Sequence, residues 1–301
     1  TGLERDKILQ EYEDILWLIA RLKEILASDV EIMKIIVGEL TEIKDKFGDA
    51  RRTEIVNQTA DISLEDTIED AEMVVTVSHG GYIKRSAVEL YRAQRRGGKG
   101  KTGMKTRDED FVEQLFIAST KDYLLFFSDM GRVYRIKVYE IPEGSRTTKG
   151  KAVVNLVNVQ EGEKITAILP VKDLNREDLF LLMATKGGVV KKTPLVEYIN
   201  IRTTGINAVN LDEGDKLIAV ALTDGQKDVF LASRQGKAIR FSEEDARPMG
   251  RVTRGVRGMN LEARDEVISM EVIDPTASGS TIFTLTENGF GKRTDLDEYR
   301  G

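Results

Sequence analysis

Residues 73–85 read MVVTVSHGGYIKR, an apolar strand, a turn that ends in glycine and a second strand that ends in a basic residue. The same arrangement returns as YLLFFSDMGRVYR at 123–135, LFLLMATKGGVVKK at 179–192, DVFLASRQGKAIR at 228–240 and TIFTLTENGFGKR at 281–293. The turn glycines lie 50, 57, 48 and 53 residues apart. Such a recurrence predicts a repeat architecture, in which each unit buries its faces against its neighbours.

A further apolar segment closes each complete unit as another strand, such as ITAIL at 165–169, LIAVAL at 217–222 and VISMEV at 267–272. Repeats of roughly 50 residues with about four short strands are typical of propeller blades arranged around an axis. The sequence therefore predicts a propeller-like domain over residues 73–301, with four complete repeats and a truncated fifth.

The residues before this domain follow a helical pattern. Apolar side chains spaced alternately four and three apart form the seam of a coiled coil, Ile8, Tyr12, Ile15, Ile19, Leu22 and Leu26. Ser28-Asp29-Val30-Glu31 predicts a capping box that begins a second helix, and Gly48 suits its end. An ordinary helical hairpin is the alternative for residues 1–48. Residues 49–72 are polar and acidic with little periodicity, which predicts a linker.

The chain is acidic overall, with 45 Lys and Arg against 51 Asp and Glu and a formal net charge of −6. Residues 1–72 hold 9 of the basic and 19 of the acidic residues, so the remainder is close to balance. Its charges are clustered, since residues 82–107 contain nine Lys and Arg and one acid, Glu89. A nearly neutral domain can therefore present a positive surface.

A glycine beside basic residues recurs after the first four hairpins. Gly100, Gly150 and Gly255 lie 19 residues beyond the turn glycine of their unit, and Gly205 lies 17 beyond. In the second to fourth units an acidic turn follows, EGE at 161–163, DEGD at 212–215 and ARDE at 263–266. Because these loops recur at one point of each unit, we expect them on one rim of the disc, with the acidic turns displaced from it.

Arginine and lysine on such loops point to contact with the phosphates of duplex DNA. Contacts of this kind hold DNA without reading its sequence and weaken as salt is added, and many of them together offset the elastic cost of bending DNA. The predicted contact residues in the repeat loops and at the strand ends are Lys84, Arg85, Arg135, Arg146, Lys149, Lys191, Lys192, Arg202, Arg240, Arg251, Arg254 and Arg293. Two alternatives stay open. The loops could only keep the surface soluble, or the propeller could be a protein-binding scaffold, which apolar or aromatic rims would favour.

Several other chemistries are excluded or disfavoured. The absence of cysteine excludes disulfides and thiolate sites, and the one histidine, His79, lies in a turn. Gly100-Lys101-Thr102 resembles the end of a nucleotide-binding loop, but the first glycine of that motif would fall on Arg95. The acidic turns lack the carboxylate spacing of a calcium loop. With no bilayer-spanning apolar run and no signal peptide, we expect a soluble, cytoplasmic protein.

One heptapeptide connects this chain with a known family. Residues 94–100 read QRRGGKG and match the gyrase-A box in full, with Gln94, Arg95, Arg96, Gly97, Gly98, Lys99 and Gly100. This box distinguishes the A subunit of bacterial DNA gyrase from its relative in topoisomerase IV, where it is degenerate or absent. Residues 1–16 resemble the part of the breakage-reunion domain where its coiled coil returns to the exit gate, and residues 46–56 resemble the exit from that domain. The chain thus resembles the DNA gyrase A subunits, which are type IIA topoisomerases.

The resemblance implies a β-pinwheel, a propeller-like disc whose neighbouring repeats exchange strands and whose basic rim wraps DNA. It gives residues 94–100 a part in wrapping, after which ATP hydrolysis in the B subunit introduces negative supercoils. The implied partners are duplex DNA, the gyrase B subunit, and another copy of the A subunit through the coiled-coil and exit-gate region, with no membrane. ATP and Mg²⁺ act elsewhere in the A2B2 holoenzyme, so no cofactor is expected here. A topoisomerase IV A-type subunit is the alternative, which the intact box disfavours.

DNA cleavage is not expected in this chain. The family's catalytic tyrosine lies upstream of the coiled coil, and none of the eight tyrosines here matches its motif. The chain begins without methionine and ends within a fifth repeat, whereas the family commonly has six. We therefore expect an α plus all-β piece of a larger subunit, with helices at 1–48, a linker at 49–72 and an incomplete pinwheel at 73–301.

Overall fold

The computed structural model of this chain describes residues 2–50, 52–53, 64–91, 110–145, 147–276 and 279–299. It divides into two compact units, Thr1–Asp61 and Ile62–Gly301. The first contains two α-helices, and the second is built from β-strands and short 3₁₀ turns. The boundary between the units falls inside the segment 49–72, whose limits as a linker stay a prediction.

The helical unit consists of α1 (Gly2–Leu26) and α2 (Asp29–Phe47), which contact each other. Both helices begin and end within a residue of the positions that their periodicity predicts. Ser28 occupies the N-cap of α2, but its hydroxyl makes no capping hydrogen bond, so the predicted capping box is wrong. The Glu31 carboxylate, which should have completed the box, instead pairs with Lys34 Nζ at 2.7 Å and with Arg21 Nη2 at 3.5 Å.

Seventeen strands, numbered β1 to β17 along the chain, are present in the described part of the second unit. Ten of them form five antiparallel hairpins, β1 (Glu72–Ser78) with β2 (Tyr82–Ala87), β4 (Tyr123–Ser128) with β5 (Arg132–Lys137), β8 (Phe180–Thr185) with β9 (Val189–Pro194), β12 (Asp228–Ser233) with β13 (Ala238–Ser242), and β16 (Thr281–Leu285) with β17 (Gly291–Asp295). The five turn glycines adopt φ between +75° and +86°, a region that side-chain-bearing residues rarely adopt. The predicted hairpins are confirmed.

Each of the first four hairpins is extended by a long strand on the side of its first strand. These strands are β3 (Val112–Ser119), β7 (Ile165–Val171), β11 (Leu217–Thr223) and β15 (Val267–Ile273). The strands β7, β11 and β15 also contact each other across successive sheets, as β7 with β11 and β11 with β15. This edge of the second, third and fourth sheets therefore faces the neighbouring sheets on the inside of the array.

The opposite edge of the first three sheets receives a two-residue strand from the following repeat. The strand β6 (Lys151–Ala152) follows the second hairpin but pairs with β2 of the first. In the same way β10 (Ile206–Asn207) pairs with β5, and β14 (Val256–Arg257) pairs with β9. Strand exchange of this kind is the feature that separates a pinwheel from an ordinary propeller. The predicted fold, helices followed by a β-pinwheel, is confirmed.

The hydrophobic core lies between successive sheets. Leu124 and Phe126 of β4 pack in a cluster with the first sheet, whereas Leu125 and Phe127 pack in a cluster with the third. Alternate side chains of a strand point to opposite faces, so a strand between two sheets buries side chains on both faces, which favours a continuous apolar run over an alternating one. This explains the run YLLFFS at 123–128. Burying one such side chain contributes about 1.5–3 kcal/mol.

Candidate nucleic-acid interface

The predicted basic loops are the segments that carry the exchanged strands. Each follows the 3₁₀ turn at the end of a hairpin and leads to β6, β10 or β14. We call residues 141–150, 199–205 and 246–255 the first, second and third exchange loops. Since the exchanged strands lie on the edge opposite the mutually contacting strands β7, β11 and β15, these loops lie at the outer edge of three successive sheets.

The glycine that ends each exchange loop allows the loop to lie directly on the preceding hairpin. Gly150, Gly205 and Gly255 have φ of +82°, +73° and +113°. A Cβ at Gly150 would overlap the carbonyl oxygen of Ile83, and one at Gly205 would come within 2.5 Å of the Tyr134 ring. These recurring glycines are thus required by the packing of one repeat on the next.

Two predicted contact residues support the loops from inside. Lys84 is fully buried and its Nζ donates to the Ser145 carbonyl at 2.8 Å, beneath the first exchange loop. Lys191 is fully buried too, and its Nζ donates to the carbonyls of Ala208, at 2.8 Å, and Arg251. An ammonium group held in the interior does not reach a phosphate outside, so predicting DNA contact at Lys84 and Lys191 is not supported.

The basic residues at the strand ends join one repeat to the next. Each donates to a carbonyl oxygen in or beside the 3₁₀ turn of the following repeat, Arg85 Nε to Ile141 at 2.8 Å, Arg135 Nη1 to Ile199 at 2.5 Å, Lys192 Nζ to Glu243 at 2.7 Å and Arg240 Nη1 to Leu296 at 3.2 Å. A carbonyl oxygen has two lone pairs, so it can accept from the basic side chain even where it already accepts from a backbone N–H, as at Glu243 and Leu296. Four of the five predicted strand-end residues therefore bind the neighbouring repeat, and Lys192 is almost completely buried.

Arg293 occupies the equivalent position in the fifth hairpin and is exposed. Among the described residues it has no hydrogen-bond or ion-pair partner. Among the five strand-end residues, Arg293 is therefore the one whose side chain remains available for contact with DNA in the described structure.

Three predicted residues lie on the outer side of the exchange loops. Arg202 and Arg254 are exposed, and the Arg254 Nη1 atom lies 2.9 Å from an oxygen of the exposed Asp212. Lys149 is half-buried, with Nζ 3.6 Å from the centre of the Tyr82 ring. These side chains occupy comparable positions on successive exchange loops, which is the arrangement that the repeat spacing predicts.

The acidic turns have a structural part that the sequence did not reveal. In the first repeat, Asp110 occupies a similar place just before β3, and its Oδ1 accepts from the Gly80 N–H at 2.7 Å. In the third repeat, Asp215 Oδ1 accepts from the Gly187 N–H at 2.7 Å. Asp265 Oδ1 accepts from the Gln235 N–H at 3.0 Å. Each carboxylate thus satisfies a backbone donor in the hairpin turn of its own sheet, so these turns are more than solvated connections.

A match to a family model now identifies the architecture. The model described as "DNA gyrase C-terminal domain, beta-propeller" matches residues 72–119, 122–172, 180–224, 227–274 and 280–301. The chain belongs to the DNA gyrase C-terminal domain family. The five matched segments correspond to the five hairpins and their sheets.

A full-length relative extends the similarity beyond the gyrase C-terminal domain. The DNA gyrase A subunit of Staphylococcus epidermidis is 46% identical over all 301 residues. The alignment covers 100% of this chain but 34% of that protein, so the chain spans about a third of its relative's length.

Solved structures of the gyrase C-terminal domain family have the same fold. The C-terminal domain of DNA topoisomerase IV matches with a TM-score of 0.66 and 29% identity, over 77% of this chain and 70% of that one. The DNA gyrase A C-terminal domain matches with a TM-score of 0.58 and 27% identity, over 75% of this chain and 72% of that one. The fold is thus shared by both enzymes.

Some predicted contact residues of this gyrase family member lie outside the described residues. They are the gyrase-A box, Gln94 to Gly100, and Arg146. Within the described ranges, no group of three or more His, Cys, Asp or Glu side chains could hold a metal ion. In the same part of the chain, no helix has the length and apolar character needed to cross a bilayer.

Proposed function

We propose that this chain binds duplex DNA through the phosphate backbone, without reading base sequence, and wraps it around the outer edge of the β unit. The observation that carries this proposal is the recurrence of basic exchange loops at one edge of successive sheets. A duplex that follows this edge would meet Lys149, Arg202 and Arg254 in turn. Contacts spread along a curve offset the elastic cost of bending DNA.

The rigidity of the exchange loops favours this function. Each loop is attached to the preceding hairpin by backbone pairing and by buried donors such as Lys84 and Lys191. A loop that already has its bound conformation loses little conformational entropy when it meets a phosphate. The affinity contributed by each exposed arginine or lysine is then larger than on a flexible loop.

In the complete enzyme we propose that this activity serves negative supercoiling. The chain would form part of a gyrase A subunit that dimerises through the coiled-coil and exit-gate region and joins two B subunits, in the cytoplasm at the nucleoid. ATP and Mg²⁺ would act elsewhere in the holoenzyme, and DNA cleavage would use a tyrosine upstream of this chain. Residues 94–100, the gyrase-A box, follow the first hairpin in the sequence, and we assign them the same wrapping role.

Two alternatives are less well supported. A topoisomerase IV subunit would share the fold, but the box is intact and the relative at 46% identity is a gyrase A subunit. A protein-binding scaffold would favour an apolar or aromatic rim, whereas the loop residues here are mainly Arg, Lys, Thr and Gly.

The test combines an affinity measurement with a topological one. Affinity for unrelated duplexes should be similar, and it should fall steeply between about 50 and 200 mM salt. When a nicked minicircle is sealed by ligase with the chain bound, its linking number should differ from that of a minicircle sealed without the chain. The difference should always have the same sign. An affinity that does not depend on salt would refute backbone binding, and an unchanged linking number would refute chiral wrapping. Alanine replacement of residues 94–100 in the full subunit should abolish supercoiling while reducing DNA binding less.

A further inference from the structure

A groove of about 740 Å³ at the outer edge collects arginines from three repeats. Arg132 and Arg135 come from the second hairpin, Arg202 from the second exchange loop, and Arg251 from the third exchange loop. None of the residues lining this groove is acidic. We call it the arginine groove.

The arginine groove is built around the second exchange loop. Arg132 Nη2 donates to the Thr204 carbonyl at 2.7 Å, Arg135 Nη1 donates to Ile199, and Arg251 Nη1 donates to Asn207 at 3.1 Å. Three guanidinium groups are therefore held along the length of one loop. Their positions are fixed before any ligand arrives.

The fixed arginines retain unused donors. A guanidinium has five N–H groups, and among the described residues Arg132, Arg135 and Arg251 each make only one or two hydrogen bonds to carbonyl oxygens. The nearest carboxylate to Arg132 is that of Glu163, with Oε1 3.7 Å from Nε. That carboxylate is fully buried, does not line the groove, and already accepts from Tyr134 and Ser128.

Four guanidinium groups around one groove repel each other unless an anion lies among them. Their planar donor geometry matches the oxygens of a phosphate, which can accept from two N–H groups at once. The position after the turn glycine is occupied by Tyr, Arg, Val, Lys and Phe in the five hairpins, so Arg132 has no arginine counterpart elsewhere. Within the described ranges, the arginine groove therefore has no counterpart with the same set of arginines in another repeat.

We propose that the arginine groove binds one backbone phosphodiester of duplex DNA and anchors the duplex at the second exchange loop. This inference rests on the proposed function and adds that one contact along the outer edge binds DNA more strongly than the others. The phosphate in the groove is held by fixed guanidinium groups from three repeats. Among the described residues, the first exchange loop offers the half-buried Lys149 and the third offers the exposed Arg247 and Arg254. Substituting arginines of the groove should weaken DNA binding more than removing the same number of positive charges elsewhere on the β unit.

The test uses the whole chain and two variants that lose the same charge. Arg202→Gln with Arg251→Gln alters the groove, and Arg234→Gln with Arg264→Gln alters two exposed turn arginines outside the exchange loops. We expect the groove variant to lose more than tenfold in duplex affinity and its log–log salt slope to fall by about 1–2. The control variant should lose less than threefold. Arg202→Gln alone should reduce duplex affinity at least threefold. Because Arg202 is exposed, this substitution leaves the packing intact, so the single variant separates loss of DNA contact from misfolding of the double variant.

The source of the phosphate is tested with the Nε–H NMR signals of Arg132 and Arg251. Addition of duplex DNA should shift both signals, and inorganic pyrophosphate should compete for them. Equal losses in groove and control variants, or signals that shift with pyrophosphate but not with DNA, would overturn the anchor while leaving salt-dependent DNA binding intact. A wild-type chain without salt-dependent binding would instead refute the proposed function.

Discussion

At the scale of single residues, the basic side chains of each repeat belong to two groups. In the first four repeats, those three or four positions beyond the turn glycine, such as Lys84, Arg85 and Lys191, donate to carbonyls of the next repeat. Those on the exchange loops, such as Arg202 and Arg254, are exposed. Sequence composition alone treats both groups as candidate DNA contacts, although most of the first group donates to carbonyls of the neighbouring repeat. Within that group Arg135 also lines the arginine groove, and Arg293 is exposed.

The first prediction concerns the bond between repeats. Arg85→Met removes the donor to the carbonyl of Ile141, a residue that is 1% exposed, so we expect the free energy of unfolding to fall by about 1–3 kcal/mol. Arg293→Met changes the same repeat position where the side chain is exposed, and should alter stability by less than about 0.5 kcal/mol. Urea unfolding measures both. Equal effects would contradict the assignment of Arg85 to inter-repeat bonding.

The second prediction concerns pH. Burial, with the nearby positive charge of Arg251, lowers the pKa of Lys191 from 10.5 to about 8, while Glu197 acts weakly in the opposite direction. Between these values the unfolded chain binds more protons than the folded one, so this lysine makes stability rise with pH. Relative to Lys191→Met, the wild type should gain about 1–2 kcal/mol in unfolding free energy between pH 7 and 9.5. Parallel pH profiles of the two proteins would argue against the lowered pKa.

At the scale of elements, the exchanged strands decide the architecture. Each has only two residues and makes little backbone pairing by itself, as in Tyr82 opposite Ala152 and Ile83 opposite Lys151. Its position depends on the close approach of the loop backbone at Gly150 or its equivalents. The glycines that the sequence places beside basic residues therefore serve packing first, and they present the basic residues as a consequence.

The third prediction tests that close approach. Gly150→Ala combines a positive φ of +82° with an overlap on the Ile83 carbonyl, so we expect a loss of at least about 2 kcal/mol in stability and faster amide exchange across the first exchange loop. Gly214 has φ +81° with open space around it. Gly214→Ala should therefore cost only the backbone strain, about 1 kcal/mol. Chemical unfolding with hydrogen exchange measures the difference, and a similar cost at both glycines would disprove the packing role.

At the scale of the whole molecule, the sign of the net charge does not decide what the chain binds. The chain carries −6, yet its acidic residues are concentrated in residues 1–72 and in the turns, while the exchange loops are basic. Exposed charges are screened over roughly 8–10 Å at physiological salt. DNA at the outer edge of the β unit should therefore respond to the charges of the local loops more than to the net charge of the chain.

The fourth prediction follows from this local field. Arg234→Glu with Arg264→Glu, in exposed turns of the β unit outside the exchange loops, changes the net charge by the same amount as Arg202→Glu with Arg254→Glu, on the exchange loops. We expect the loop reversals to reduce duplex affinity more than 100-fold at about 0.1 M salt, and the turn reversals to change it less than about fivefold. Fluorescence anisotropy with a labelled duplex provides the measurement. Similar losses in the two variants would mean that overall charge governs binding.

The repeat, the hairpins, the two helices and the family could all be read from the residues, because glycine turns and alternating or continuous apolar runs are set by local geometry and burial. The sequence alone did not show that Lys84 is buried whereas Lys149 lies on the outer side of its loop, and it did not predict the arginine groove. Both features depend on contacts between residues about 60 to 120 positions apart along the chain. Which basic side chains face inward was settled by the folded arrangement, since strand exchange places the loop of one repeat over the hairpin before it. The acidic turns became hairpin caps for the same reason, as Asp110 meets Gly80 only when the sheet has formed.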